Sequence, residues 1–77
     1  MSISVQVLDD ANRPVRQATV FVSWSSGGYS ERQTDNSGIA DLQTSSAGTA
    51  EYIQVNGKKV SGKIWLENGV QEVIYRR

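Results

Sequence analysis

The chain has no cysteine, no histidine and a single proline among its 77 residues. Without cysteine there is no disulfide framework, and without either residue the ligand sets of Cys/His zinc sites are gone. Nucleophilic catalysis with an imidazole base is excluded by the same absence. Carboxylate-only acid–base work stays open in principle, although no two acidic residues are spaced so as to suggest a shared cleft. An excess of one charge is missing as well: eight Lys and Arg balance eight Asp and Glu. The longest basic runs are the pairs Lys58-Lys59 and Arg76-Arg77. A chain so balanced is expected to bind neither nucleic acid nor an anionic membrane through bulk charge. No segment approaches the roughly 20 apolar residues that span a bilayer. The opening MSISVQVLDD lacks the charged start and apolar run of a signal peptide. The expected compartment is cytoplasmic if Met1 is the natural start and extracytoplasmic if the chain is excised from a longer one. No cofactor is implied.

What is present is alternation. Apolar residues nowhere hold a helical period, whereas a period of two recurs between clusters of turn formers, the pattern of short half-buried strands. Ile3, Val5 and Val7 share one face of a first strand, and DDANRP at Asp9 to Pro14 ends it. Ala18, Val20, Val22 and Trp24 form the next inward row, and SSGG at Ser25 to Gly28 turns the chain into a polar third strand, Tyr29 to Thr34. That polarity suits a sheet edge, with Glu31 and Arg32 guarding it against unwanted pairing. After TDNSG, a short strand from Ile39 to Leu42 puts Ala40 and Leu42 on one face. The loop Gln43 to Thr49 leads to a fifth strand, Ala50 to Val55. Asn56-Gly57 is a strong hairpin signal, because both central positions of a type I′ turn need positive φ. A sixth strand, Lys58 to Leu66, carries Val60, Ile64 and Leu66 on one face; Glu67-Asn68-Gly69 then turns into a seventh, Val70 to Tyr75. In strands five and seven the pattern leaves both faces open: Tyr52 against Ile53 and Val55, and Val73 and Tyr75 against Val70 and Ile74. The expectation is one all-β domain over residues 1–77, a small antiparallel β-sandwich of about seven strands. At this length folding hides only about 60% of the surface of the unfolded chain, so stability is expected to be modest.

Three motifs carry a resemblance: V-x-V-L-D at Val5 to Asp9, P-V-x-x-A-x-V at Pro14 to Val20, and T-D-x-x-G at Thr34 to Gly38. Together they resemble the carboxypeptidase regulatory-like domain, a transthyretin-like sandwich, and are similar to bacterial Ig-like group 1 modules. The matching stretch runs from about residue 3 to 55. Where that pattern has glycine in its first turn, this chain has Asn12-Arg13; where it has glycine before the inward alanine, it has Gln17; where it often has an aromatic after Gly38, it has Ala40. The resemblance implies a spacer, folding aid or binding surface, and a fold does not by itself imply a function. The C-terminal Tyr75-Arg76 also resembles the end of a transthyretin-like enzyme, hydroxyisourate hydrolase. That chemistry uses histidines, so no activity is carried over.

Two groups of residues are candidates for function. With strands alternating up and down, the turns at Asp9 to Pro14, Thr34 to Gly38 and Asn56-Gly57 fall at one end, gathering Asp9, Asp10, Asp35, Asn36 and Asn56. Oxygen-rich loops suit calcium, which takes about 6 to 8 oxygen ligands. Asp9, Asp10, Asp35 and Asn36 are therefore weak calcium candidates, against the competing role of such residues in capping their own turns. No spaced ligand signature is present, and Arg13, Arg16, Lys58 and Lys59 near the same end oppose a cation. The second group is Phe21 and Trp65, both out of phase with neighbouring core residues, a candidate binding surface for a partner or a sugar ring. The terminal Arg76-Arg77 reads as a solvated tail. The expected function is a non-enzymatic binding or structural module with a protein partner or neighbouring domain. The alternatives are a carbohydrate-binding module using exposed aromatics and a small barrel that stacks single-stranded nucleic acid, the last opposed by the neutral charge.

Overall fold

A computed structural model describes residues 2–42, 44 and 46–76. Met1, Arg77 and two residues of the expected fourth-to-fifth-strand loop, Gln43 and Ser45, lie outside the described residues. The chain forms β1 (Ile3–Leu8), β2 (Thr19–Trp24), β3 (Tyr29–Gln33), β4 (Ile39–Asp41), β5 (Gly48–Val55), β6 (Lys58–Ser61), β7 (Ile64–Leu66) and β8 (Gly69–Ile74). They make two sheets, β4-β1-β8 and β3-β2-β5-β6, with β7 also paired to β5. The all-β sandwich expected from alternation is the fold observed.

The inner faces meet in one core. Ile3, Val5 and Val7 of β1 are buried with Ala40 and Val73, against Val20, Val22, Ala50, Ile53, Val55 and Leu66 of the other sheet. Val15, Ala18 and Leu42 close it from the connections, and Trp24, Val60, Ile64 and Tyr75 pack on its margin. Burial settles the two open faces: Ile53, Val55 and Val73 point inward, while Val70 and Ile74 stay exposed. Each fully buried Val, Ile or Leu contributes about 1.5–3 kcal/mol relative to exposure. In a domain this small, that core is the main source of stability.

Two features depart from expectation. The sandwich is not wholly antiparallel, because β1 pairs β8 in parallel, from Ile3 opposite Gly69 to Leu8 opposite Ile74. A parallel neighbour requires a crossover connection, and here the run from β2 to β7 supplies it, passing through the other sheet and returning once as β4 on the far side of β1. The sixth strand is also two strands. β5 shifts register between Ile53 and Gln54 against β6, and its pairing with β2 shifts at Ser23/Trp24, so Glu51 has no partner on β2. Such irregularities bend a strand and raise its twist. The first half of β5 pairs β7 and the second half β6, with Gly62 and Lys63 between them.

Polar β3 is an edge strand, as its composition suggested. Arg32 stands opposite the buried Val20, a position whose alternation points inward, yet it is exposed. A charge at that register position on an edge opposes pairing with another sheet.

Candidate functional site

The acid-rich turns do share one end of the sandwich. Asn56 is at φ 52 and Gly57 at φ 83, the two positive angles a type I′ turn needs. Asn56 Oδ1 accepts the Thr19 N–H at 2.9 Å, and Asn56 N–H donates to Thr19 O at 2.9 Å. Val7 N–H donates to Gly38 O at 2.7 Å, joining the end of β1 to the turn before β4. Thr34 ties this end together: its buried Oγ1 accepts the Ala18 N–H at 2.9 Å and donates to Val15 O at 2.7 Å. Gly38, at φ +75, lies so close to β1 that a Cβ would stand 2.7 Å from Val7 O. No side chain fits there, which is why the turn carries glycine.

The carboxylates at this end serve their own loops. Asp9 Oδ1 accepts the N–H groups of Ala11 and Arg13, each at 2.9 Å, and Oδ2 pairs with Arg13 Nε at 3.2 Å. The Arg13 N–H foremost, then the Ala11 N–H and the Arg13 charge, hold the Asp9 carboxyl below its usual range, against a smaller upward push from lost hydration. Asp35 Oδ1 accepts the N–H groups of Ser37 and Ile39 at 2.8 and 3.0 Å. Asp10 and Asn36 are exposed. Among the described residues no group of three or more acidic side chains converges. The four calcium candidates therefore divide into two turn caps, Asp9 and Asp35, and two solvated side chains. What connects the loops is backbone, the side chains of Thr34 and Asn56, and Gln6 Nε2 donating to Ser37 O at 3.1 Å.

The outer face of the five-stranded sheet has the opposite character. Phe21, on β2, stacks with Tyr29 of β3 at 5.2 Å between ring centroids and 20° between planes, and with Tyr52 of β5 at 6.2 Å and 26°. Register explains this meeting. Ser23 is the cross-strand partner of Tyr29 on one side and of Tyr52 on the other. A small residue between two tyrosines leaves room for both rings to approach Phe21, the diagonal neighbour of each. Offset stacking of this kind is worth about 0.5–1.5 kcal/mol beyond area burial. Phe21 is consequently half-buried, while Tyr29 is 67% exposed.

Trp65 lies on the same face. It stands opposite Thr49, is 57% exposed and donates its Nε1–H to Glu67 Oε2 at 2.9 Å. It stacks on none of the three other rings. Polar residues rim the stack: Phe21 has Glu31 and Gln54 as cross-strand partners, and Gln54 has Lys59. The structure thus places Phe21 and Trp65 on one surface and adds Tyr29 and Tyr52. Both tyrosines were present in the alternation, but only the pairing of β3, β2 and β5 reveals that they flank Phe21. The inward-facing Trp24 belongs elsewhere, half-buried at the core margin with its Nε1–H donating to Ser30 Oγ at 2.9 Å.

No protein-family model matches this sequence, and no curated protein matches it.

Proposed function

We propose that the chain is a non-enzymatic β-sandwich module of the transthyretin-like or Ig-like kind, and that it binds a protein partner or neighbouring domain through the outer face of its five-stranded sheet. The observation that carries this reading is the gathering of Phe21, Tyr29, Tyr52 and Trp65 on that face, with Tyr29 and Trp65 each more than half exposed. Tyrosine and tryptophan combine large apolar area with a polar tip and are enriched at interfaces for that reason. Asp9 and Asp35 cap their own turns instead of converging on a shared site. The backbone supports the family resemblance as well. Within Asn12-Arg13, where the resembled pattern has a glycine, Asn12 adopts φ 62, and Gln17, in place of the second glycine, adopts φ 57, a region that glycine enters readily and other residues enter at a cost.

A sugar ligand is the second reading. It is favoured by the side-by-side rings next to the hydrogen-bonding groups of Glu31 and Gln54. Fluorescence separates the two readings, because Trp65 is exposed and Trp24 is held in the core margin. A saturable change on titration with glycans that disappears in Trp65→Phe assigns a carbohydrate module. Silence with glycans, and with oligonucleotides at low salt, leaves the protein-partner reading standing. That reading is then tested with a photo-crosslinking residue at position 65 in the cell that makes the protein. A discrete adduct at 65 that is absent from position 36 supports it, and equal labelling at both positions overturns it.

A further inference from the structure

Among the described residues no strand pairs the outer edge of β8. The parallel register with β1 determines which backbone groups stand on that edge. Gly69 N–H donates to Ser2 O at 2.9 Å and Tyr75 N–H to Leu8 O at 2.7 Å. Odd-numbered residues of β8 therefore turn their peptide groups toward β1, and Val70, Glu72 and Ile74 turn theirs outward. Two carbonyls on this open side, those of Glu72 and Arg76, accept hydrogen bonds from side chains instead of a strand. Glu72 O takes one from Gln71 Nε2 at 3.2 Å, and Arg76 O takes one from Lys58 Nζ. Lys58 belongs to β6, so its bond spans a groove of about 450 Å³ between the free edges of β6 and β8, into which the half-buried Val60 and buried Val73 also face.

The side chains beside this edge are unlike those of the other sheet's polar edge. On β3 the last three residues are Glu31, Arg32 and Gln33, all exposed. On the outer face of β8, Val70 is 56% and Ile74 38% exposed, and Glu72 lies between them in no ion pair among the described residues. A second copy of β8 pairing antiparallel about this centre would set Glu72 against Glu72, and like charges directly opposite are destabilising. Charge complementarity calls for a cation there.

We propose that the β8 edge is a docking site for an extended segment of a protein partner with the pattern apolar-x-basic-x-apolar. The basic side chain sits against Glu72 and the apolar ones against Val70 and Ile74. Main-chain bonds to Val70, Glu72 and Ile74 supply the affinity of such strand addition, and the alternate side chains supply selectivity. Gln71 and Lys58, whose bonds to the edge are exposed to solvent, swing aside as the strand arrives. The site is on the sheet opposite the aromatic face and stands independently of it.

The test uses the capped peptide Thr-Val-Thr-Lys-Thr-Val-Thr, and a twin with Glu in place of Lys, titrated into isotope-labelled protein and followed by amide NMR. Binding of the Lys peptide is expected to shift and protect the amides of Val70, Glu72 and Ile74, with the Glu twin weaker by about fivefold. Glu72→Lys is expected to reverse that order. Three results overturn the proposal: no saturable shift at millimolar peptide, shifts centred on Phe21 and Tyr52, or a peptide preference that Glu72→Lys leaves unchanged.

Discussion

At the acid-rich end of the sandwich, Asp9, Asp35, Asn56 and Thr34 each accept backbone N–H groups at 2.8 to 3.0 Å. On the outer face of the five-stranded sheet, Tyr29 and Trp65 leave more than half their surface to solvent. Both regions look functional in sequence, one rich in oxygen and the other in aromatic area. The difference lies in what the fold itself consumes. A carboxylate that accepts two N–H groups of its own loop stabilises the turn, and its orientation is set by that loop. Trp65, exposed and stacked on none of the other rings of that face, lends the fold little. Residues of functional type are thus informative only after the bonds they make at home are subtracted.

Perturbing the two regions in turn sharpens the comparison, and the largest effect is expected at Gly38. Gly38→Ala places a Cβ 2.7 Å from Val7 O at φ +75. Left-handed strain and the backbone clash together are expected to cost about 3 kcal/mol, a large share of the roughly 5 kcal/mol a small domain has in hand. Urea denaturation followed by circular dichroism measures it. Thr34→Val keeps the shape and deletes the hydroxyl that serves both Ala18 N–H and Val15 O. Leaving those buried groups unpaired is expected to cost about 2 kcal/mol in the same assay.

Gln17→Gly should act in the opposite direction. Relief of its φ of 57 is set against the greater freedom of glycine in the unfolded chain, for a net gain of about 0.5 kcal/mol. A loss of stability there would mean that the Gln17 side chain contributes something its geometry does not show. The smallest effect is a slope. The Asp9 carboxyl titrates below its usual 3.8 in the folded chain. Its contribution is therefore complete above that value and fades as pH falls through the lower, folded one. Asp9→Asn retains an oxygen acceptor without the charge, so melting temperature recorded from neutral pH down to about pH 2 should decline less steeply in the variant.

Much of the fold was legible because alternation states which residues share a face. Ile3, Val5, Val7, Val20 and Val22 were all assigned inward, and all are fully buried. Asn56-Gly57 named its own turn, since few dipeptides tolerate two positive φ angles. Alternation does not state which strand lies beside which. The parallel pairing of β1 with β8 joins residues at opposite ends of the chain, and nothing local announces it. The break between β6 and β7 faces Glu51 and Tyr52, where β5 shifts register against β2, a property of the pairing and not of the sixth strand's own sequence. The candidate site was half legible for the same reason. Phe21 and Trp65 are out of phase with the core in their own strands, whereas Tyr29 and Tyr52 join them only through the pairing that places each opposite Ser23.

The central claim is that the aromatic face is free for binding while the loop end holds the fold. Urea denaturation of Trp65→Ser beside Thr34→Val tests it most directly and requires no knowledge of the partner. Trp65→Ser is expected to remain within about 0.5 kcal/mol of the parent, as surface substitutions do, while Thr34→Val falls by about 2 kcal/mol. A Trp65→Ser variant destabilised as much as Thr34→Val would make that ring a structural cover and contradict the claim.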